Sequence, residues 1–328
     1  MTLKYWLLGA SYATVHRLLG GEIKIDPHEV QNCVFEKLNR DRPNALRVAA
    51  AAAYWSKAEL YYRARRALSI AEHYDVPVEF YRLFLDTDYR AYSCAVWDDE
   101  TMTLEAAQRR KLEILTRKLD AKPGHRILDI GCGWGSFLTY AREHGLDAEG
   151  IALSERQVEE CRRLGLRASY GDAAECVPAA LDRIVTAGMM EHCKNQRDRI
   201  LANCYGALVP GGRMVVQEIC KSSERGNLPA VVFVAEEFFR GDRIGSYNSV
   251  QRAARHAGFR VLHLEGLGRH YVTTTLAWAR RLADRFDEAV AIAGYRTAMT
   301  YLVCFSGYAW YFDVGAIDLI QYVLAKPD

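Results

Sequence analysis

The chain has 328 residues, half of them apolar, with 43 basic against 41 acidic side chains, so it can bury a full core and carries a net charge of only +2. That balance excludes both the basic footprint of a nucleic-acid-binding protein and the charge-rich, apolar-poor composition of a disordered one. Nine cysteines (Cys33, Cys94, Cys132, Cys161, Cys176, Cys193, Cys204, Cys220 and Cys304) form no C-x-x-C pair, which argues against a zinc ribbon or a disulfide scaffold and for reduced thiols in a cytoplasm.

The opening run MTLKYWLLGASYATVHRLLGG is broken by Tyr12, His16 and Arg17, too early for the apolar core of a secretory leader. No stretch reaches the roughly 20 apolar residues of a spanning helix, so a soluble, cytoplasmic protein is expected. Residues 1–75 read as a helical extension, punctuated at Gly20-Gly21, Asp26-Pro27 and Pro43-Asn44. Within it, Lys57, Arg63, Arg65 and Arg66 alternate with Tyr54, Trp55, Tyr61 and Tyr62. Two readings of that helix stand side by side: peripheral docking on a membrane or acyl-carrier partner, and ordinary packing with a solvated charged face.

Residues 73–97 are crowded with aromatics and interrupted by Pro77, and they deliver Tyr92, Ser93 and Cys94 as a candidate pocket wall or a plain loop with a buried thiol. Residues 103–119 form an amphipathic helix with Leu104, Ala107, Leu112, Leu115 and Leu119 on its apolar side. From Arg126 strands and helices alternate: strands at 126–130, 148–153, 167–170, 183–187 and 213–219, helices at 137–144, 154–164 and 197–208. Ser154 caps the second helix, and Pro210-Gly211-Gly212 stops the third. Short links between such elements predict an α/β fold with a parallel sheet covered on both faces. The alternation lapses through an insertion at about 221–247, resumes with a helix at 249–257 and a strand at 260–264, and ends in a helical stretch over 271–312 and a strand over 317–324.

The turn after the first strand reads D-I-G-C-G-W-G, with Asp129, Gly131, Gly133 and Gly135. Glycines admit positive φ and the close approach of a ligand, while the helix start beyond them offers unpaired N–H groups. Ser136 stands where a dinucleotide fingerprint continues, and no phosphate loop of the G-x-x-x-x-G-K-[ST] kind is present. Asp129 can orient an ammonium-bearing ligand and Asp172, after the third strand, can accept from an adenine amino group. A cationic amino-acid nucleoside, S-adenosylmethionine, fits better than a diphosphate.

These residues carry a family resemblance. HYDVPVEFYRLFLD, AYSCAVW, LEAAQRRKL, LDIGCGWG, GIALSERQ, GMMEHC and HYVTTTLAW, in that order, resemble the cyclopropane-fatty-acyl-phospholipid synthases, including the mycolic acid cyclopropane synthases and methyltransferases. The resemblance covers about three quarters of the chain. It implies a class I methyltransferase, Rossmann-like, with seven strands of which the last is antiparallel, over residues 76–328, with helical insertions around the acyl chain. It places Tyr92 and Ser93 at the methionine part of the cofactor, Asp129, Gly131 and Gly133 in its glycine turn, Gln157 at the ribose and Asp172 near the adenine. Ala152 stands where relatives have threonine, the loss of one hydrogen bond worth roughly 0.5–1.5 kcal/mol.

In the reaction the resemblance implies, an alkene of an unsaturated acyl chain attacks the sulfonium methyl, and a bound bicarbonate takes a proton from the resulting carbocation. The positions that match the bicarbonate set are Cys94, Glu191, Gln217, Tyr271 and the backbone at Ile219. Gln217 replaces a histidine; it can donate a hydrogen bond to an oxyanion but carries no charge and shuttles no proton. A second departure, AEEFFRGDRIGS, brings Glu236, Glu237, Arg240, Asp242, Arg243 and Gly245 to the expected substrate mouth and makes it more polar. Three functions are therefore compared: cyclopropanation or C-methylation of an acyl chain, methylation of a small-molecule amine as in the coclaurine-type relatives, and a catalytically silent S-adenosylmethionine-binding partner. Cys94, Glu191 and Tyr271 favour the first; Gln217 and the polar mouth favour the second.

Overall fold

The computed structural model describes residues 20–22, 26–30, 76–193, 196–222 and 244–328. Most of the expected N-terminal extension, with its basic aromatic helix, and Glu236, Glu237, Arg240, Asp242 and Arg243 of the insertion lie outside the described residues. Two compact units contain the rest. Residues 20–22, 26–30, 76–85 and 271–317 belong to an aromatic unit, and residues 86–193, 196–222, 244–270 and 318–328 to a sheet unit.

The sheet unit holds an eight-stranded sheet made of β1 (Arg126–Ile130), β2 (Asp147–Ala152), β3 (Ala168–Tyr170), β4 (Leu181–Ala187), β5 (Leu208–Lys221), β6 (Gly245–Ser246), β7 (Arg260–Gly266) and β8 (Ile317–Ala325). Its main path runs β3-β2-β1-β4-β5-β8-β7, with β6 paired beside β5. Neighbours from β3 to β5 are parallel, and β8 runs antiparallel to β7. The order reverses between β1 and β4, which is where open α/β sheets present a crevice at their carboxyl ends.

Alternation along the strands builds two cores. On one face Ile127, Val185, Val215 and Val323 pack under α2 (Leu104–Leu119) and α3 (Ser136–Glu143), which contribute Leu112, Leu115, Phe137 and Tyr140. On the other, Leu128, Ile184, Met214, Val216 and Tyr322 pack with Ile200 and Leu201 of α5 (Arg197–Ala207) and Val250 of α6 (Ser249–Ala257). Helix α4 (Glu155–Arg163) closes a smaller core with Cys132, Leu138 and Val158. The capping signals behave as read: Thr103 accepts from the Ala106 N–H and Ser154 from the Gln157 N–H.

In the aromatic unit, α1 (Val78–Tyr81) precedes Phe84, and the Tyr81 hydroxyl meets the Tyr301 hydroxyl at 2.8 Å. Phe84 packs edge-on against Phe305 at 5.0 Å, and Trp278 lies 5.4 Å from the same ring. The residues over 271–312 are not one helix. They form α7 (Gly268–Asp284, which begins in the sheet unit), α8 (Phe286–Ala293) and α9 (Tyr295–Asp313), broken at Arg285 and at Gly294, whose φ of 82° ends the helical path. Among the described residues no helix is long and apolar enough to cross a membrane.

The expected strand over 213–219 begins earlier, at Leu208. Pro210-Gly211-Gly212 does end α5, but it also shifts the β4–β5 register, and it is strapped to the chain end: Gly211 donates to the Lys326 carbonyl at 3.1 Å and Lys326 to the Gly212 carbonyl at 2.9 Å.

Gly150 of β2 has no space for a side chain, since a Cβ there falls 2.6 Å from Cys132 Cβ and 2.9 Å from Leu138 Cδ1. Gly150→Ala is expected to destabilise the fold by about 1–3 kcal/mol in urea unfolding. Gly206→Ala, in α5 where a Cβ meets nothing within 4 Å, is expected to stabilise it by up to about 1 kcal/mol.

Candidate functional site

The glycine turn follows directly from β1. Gly131, Gly133 and Gly135 have φ of 77°, 53° and 82°, conformations that side-chain-bearing residues rarely adopt. The turn is tied down by Gly131 and Cys132, which both donate to the Ile151 carbonyl, at 2.8 and 3.2 Å. A Cβ on Gly131 would strike Met189 at 2.8 Å, so this residue lets the turn press against the segment after β4. At Gly133 a Cβ meets nothing within 4 Å, leaving room for a ligand to approach the backbone. Beyond it α3 starts with no side-chain cap, so its first N–H groups remain able to donate to an acceptor.

Asp129, at the mouth of this turn, is 5% exposed, and burial pushes its carboxyl up to about 7 while Lys111 pulls it down. Lys111 is itself 1% exposed; burial lowers its ammonium to about 8, against the pull of Asp86, Cys94 and Asp129. The ammonium donates to Ser93 Oγ at 3.1 Å, and Gln108, one turn earlier on α2, donates to the Ser93 carbonyl at 2.8 Å. Asp86 braces the start of the same segment by accepting from the N–H groups of Tyr89, Ala91 and Arg90 at 2.6, 2.7 and 3.1 Å. The Tyr92–Cys94 wall is thus held from behind by side chains of α2 and by Asp86. Cys94 is buried, with its thiol donating to the Ala95 carbonyl at 3.2 Å, and Tyr92 is half-buried.

The second half of the site lies where β4 ends. Gly188 has a φ of 83° and donates to the Gln217 carbonyl at 3.0 Å, continuing the β4–β5 pairing of Ala187 with Gln217. A Cβ on Gly188 would lie 3.7 Å from Ser93 Cβ and 3.9 Å from Glu191 Oε1. The side chains of Ser93 and Glu191 and the backbone of Gln217 are therefore gathered around one glycine. Glu191 stands in a single 3₁₀ turn, Met190–Cys193, and this turn is pinned by Arg197, whose guanidinium donates to the Met190 carbonyl at 3.2 Å and to Glu218 at 2.8 Å. Alternation on β5 sends Glu218 to the α5 face and Gln217 and Ile219 to the face beneath α2. Gln217 accepts from Gln321 at 2.7 Å.

Two of the remaining expected positions follow strands of the sheet unit. Gln157, buried, is in the first turn of α4 beyond β2. Asp172, after β3, uses one carboxylate oxygen to accept from the Ala174 N–H at 2.8 Å, which fixes its rotamer at the sheet's carboxyl end. Tyr271 belongs to the aromatic unit, where its ring lies 4.7 Å from Phe312 and 6.1 Å from Trp278. Gly245, expected at the substrate mouth, is instead paired in β6, and a Cβ there would collide with Arg197 at 2.8 Å. Sequence reasoning missed Asp86, Gln108, Lys111, Arg197, Glu218 and Gln321. A signal existed for two of them: Gln108 and Lys111 fall at helical spacing inside the apolar stripe of Leu104, Ala107, Leu112 and Leu115, where a polar side chain must be buried.

With this geometry in place, comparison with known proteins is direct. The family described as mycolic acid cyclopropane synthetase matches residues 62–322. Cyclopropane mycolic acid synthase MmaA2 of Mycobacterium tuberculosis is 32% identical over 281 residues, 78% of this chain and 96% of its own. Cyclopropane mycolic acid synthase 2 of Mycobacterium leprae is 30% identical over 288 residues, 79% of this chain and 93% of its own. Among solved structures, MmaA2 superposes with a TM-score of 0.75 at 28% identity, covering 79% of this chain and 98% of that one. CmaA1 complexed with SAH and CTAB gives 0.74 at 29%, covering 79% and 98%. Coclaurine N-methyltransferase, at 17% identity and a TM-score of 0.70 over 99% of this chain and 100% of that one, shares the fold. The fold is that of the class I methyltransferases, as the alternating pattern and the resemblance implied.

The Arg197–Glu218 pair is 4% and 0% exposed at its side chains, and burial raises the Glu218 carboxyl while Arg197 opposes the rise. Arg197→Met strands that carboxyl and is expected to cost about 3–5 kcal/mol in urea unfolding. The double variant Arg197→Met/Glu218→Leu is expected to recover most of the loss, a non-additivity that a double-mutant cycle measures.

Proposed function

The chain belongs to the mycolic acid cyclopropane synthetase family, and from that premise we propose that it transfers a one-carbon unit from S-adenosylmethionine to the double bond of an unsaturated fatty acyl chain, closing a cyclopropane or leaving a methyl branch. The observation that carries the reading is the gathering of the Ser93 and Glu191 side chains and the Gln217 backbone around Gly188, with the glycine turn pressed against the adjacent Met189. One set of residues suits the cofactor and the other suits an anion. The names of the relatives support the acyl substrate, and the SAH in CmaA1 supports the cofactor.

When bound, S-adenosylmethionine supplies an electrophilic methyl and bicarbonate a base. The chain's own groups fit both. Asp129, a buried carboxyl with a neighbouring ammonium, would pair with the amino group of the methionine part, and Ser93, held by Lys111 and Gln108, would stand beside Tyr92 at the same part. The open side of Gly133 and the left-handed Gly131 would admit the cofactor to the backbone, and the family resemblance assigns Gln157 to the ribose and Asp172 to the adenine. For the oxyanion, Gln217 offers a buried amide Nε2 without a hydrogen-bond partner among the described residues. Cys94, Glu191 and the backbone at Ile219 complete that set, and the family resemblance adds Tyr271. These residues would hold the proton acceptor in place beside the acyl carbon on which positive charge develops. The acyl chain is reached in the cytoplasm, on a membrane surface or a carrier protein.

Mass spectrometry of lipids from cells expressing the protein tests this reading. Monounsaturated acyl chains are expected to gain one CH₂ unit, and to gain none with Glu191→Gln; unchanged lipids together with turnover of an amine panel would overturn the acyl assignment. A second expectation concerns pH. Because the Asp129 carboxyl sits at about 7, it is protonated below that value and cannot pair with a ligand ammonium there. Affinity for S-adenosylhomocysteine, measured by calorimetry, should therefore rise as pH passes upward through about 7, with release of a proton on binding, and Asp129→Asn should bind weakly with a flat profile.

A further inference from the structure

The residues behind Gln217 decide which end of its amide the site receives. Gln217 Oε1 accepts from Gln321 Nε2 at 2.7 Å, and Gln321 Oε1 accepts from the Lys118 ammonium, which also pairs with Glu265. An ammonium has donors only, so Gln321 must turn its oxygen to Lys118. Its NH₂ then faces Gln217, which must answer with oxygen; the reversed amide would set two NH₂ groups against each other at 2.7 Å. Gln217 Nε2 is consequently turned out of the chain of bonds. It is the end that lacks a partner among the described residues, on a side chain 1% exposed.

The fold makes this arrangement possible. Strands β5 and β8 are neighbours, and alternation places Gln217 and Gln321 on the face that packs under α2, whose last turn carries Lys118. The backbone carbonyl of Gln217 in turn accepts from the N–H of Gly188, which the Ser93 and Glu191 side chains flank. A histidine at the same place could present either a donor or an acceptor, according to its tautomer. The glutamine, locked from behind by a cation, presents a donor alone, and the positive charge at the far end polarises each N–H along the series.

We propose that Lys118 and Gln321 are positioning residues that fix the Gln217 amide as a hydrogen-bond donor to the site, so that its occupant there is an oxyanion of the bicarbonate kind and not a protonated amine. The inference rests on the acyl-chain reading above for its place in the reaction, but its test reads binding.

The protein loaded with S-adenosylhomocysteine is titrated with ¹³C-bicarbonate and followed by ¹³C line broadening and by the side-chain amide resonances of ¹⁵N-glutamine-labelled protein. In the unaltered protein, bicarbonate is expected to saturate and to shift the Gln217 amide signal. Gln321→Met and Lys118→Met should each raise the half-saturating concentration about threefold to tenfold, the worth of one hydrogen bond, and Lys118→Arg, which keeps a donor, should restore it. Affinity for S-adenosylhomocysteine should stay unchanged in all of them, which also reports that they fold; should Gln321→Met fail that check, the Lys118 pair decides. Saturation by bicarbonate with an unmoved midpoint in the Met variants overturns the relay, and so does an unaltered protein that binds no bicarbonate. A protein with relay-dependent bicarbonate binding that modifies no monounsaturated chain upholds the relay and refutes the acyl reading instead.

Discussion

The structure depends on the burial of polar side chains within the apolar stripe of α2. A core helix gains most from an unbroken row of leucines, yet this one sinks Gln108 and Lys111 between Leu104 and Leu115 and places Lys118 at its end. Buried polar groups are tolerated only when each finds a partner. Here the partners are the backbone at Ala91 and Ser93, the Ser93 hydroxyl, and Gln321. The helix covers the sheet and fixes the loop that faces it, and neither role can be altered without the other. Asp129 shows the electrostatic side of this: its carboxyl lies in a dry place that raises it, tempered by the one ammonium in reach on the same helix.

Much of this was legible beforehand, because it is written in short-range pattern. The alternation of strand and helix, the capping of α4 by Ser154 and the glycine turn all rest on residues within a few positions of each other. What escaped notice is long-range. Arg197 and Glu218 are separated by 21 positions and meet only because α5 packs back over β5. Gln217 stood out as a departure, but its partner lies 104 residues further on, and nothing near it in the chain hints at Gln321. The breaks inside the helical stretch over 271–312 are hidden for a related reason: apolar periodicity survives across Arg285 and Gly294, while the backbone path does not. The Pro-Gly-Gly turn was read for where it ends a helix, and its second use, as an anchor for the chain end at Lys326, is invisible without the neighbouring strand.

The same distinction separates fold from chemistry. Class I methyltransferase sheets carry unrelated reactions, and a likeness at 17% identity to an amine methyltransferase speaks only to the scaffold. In the proposed reading, discrimination between an amine and an anion comes from single groups at the carboxyl ends of β1, β4 and β5. In this chain they divide by sign: a carboxyl at the glycine turn suits a cation, and an amide NH₂ at β5 suits an anion.

The buried Arg197–Glu218 pair has a consequence for descent as well as for stability. Either side chain changed alone leaves the other buried and unanswered, and loss of Arg197 also frees the turn that carries Glu191 from its anchor at the Met190 carbonyl. Lineages that keep the fold therefore reach a different pair at these two positions by a compensated double step or through a weakened intermediate. Positions 197 and 218 should covary among descendants, in a region where the neighbouring strand residues drift one at a time.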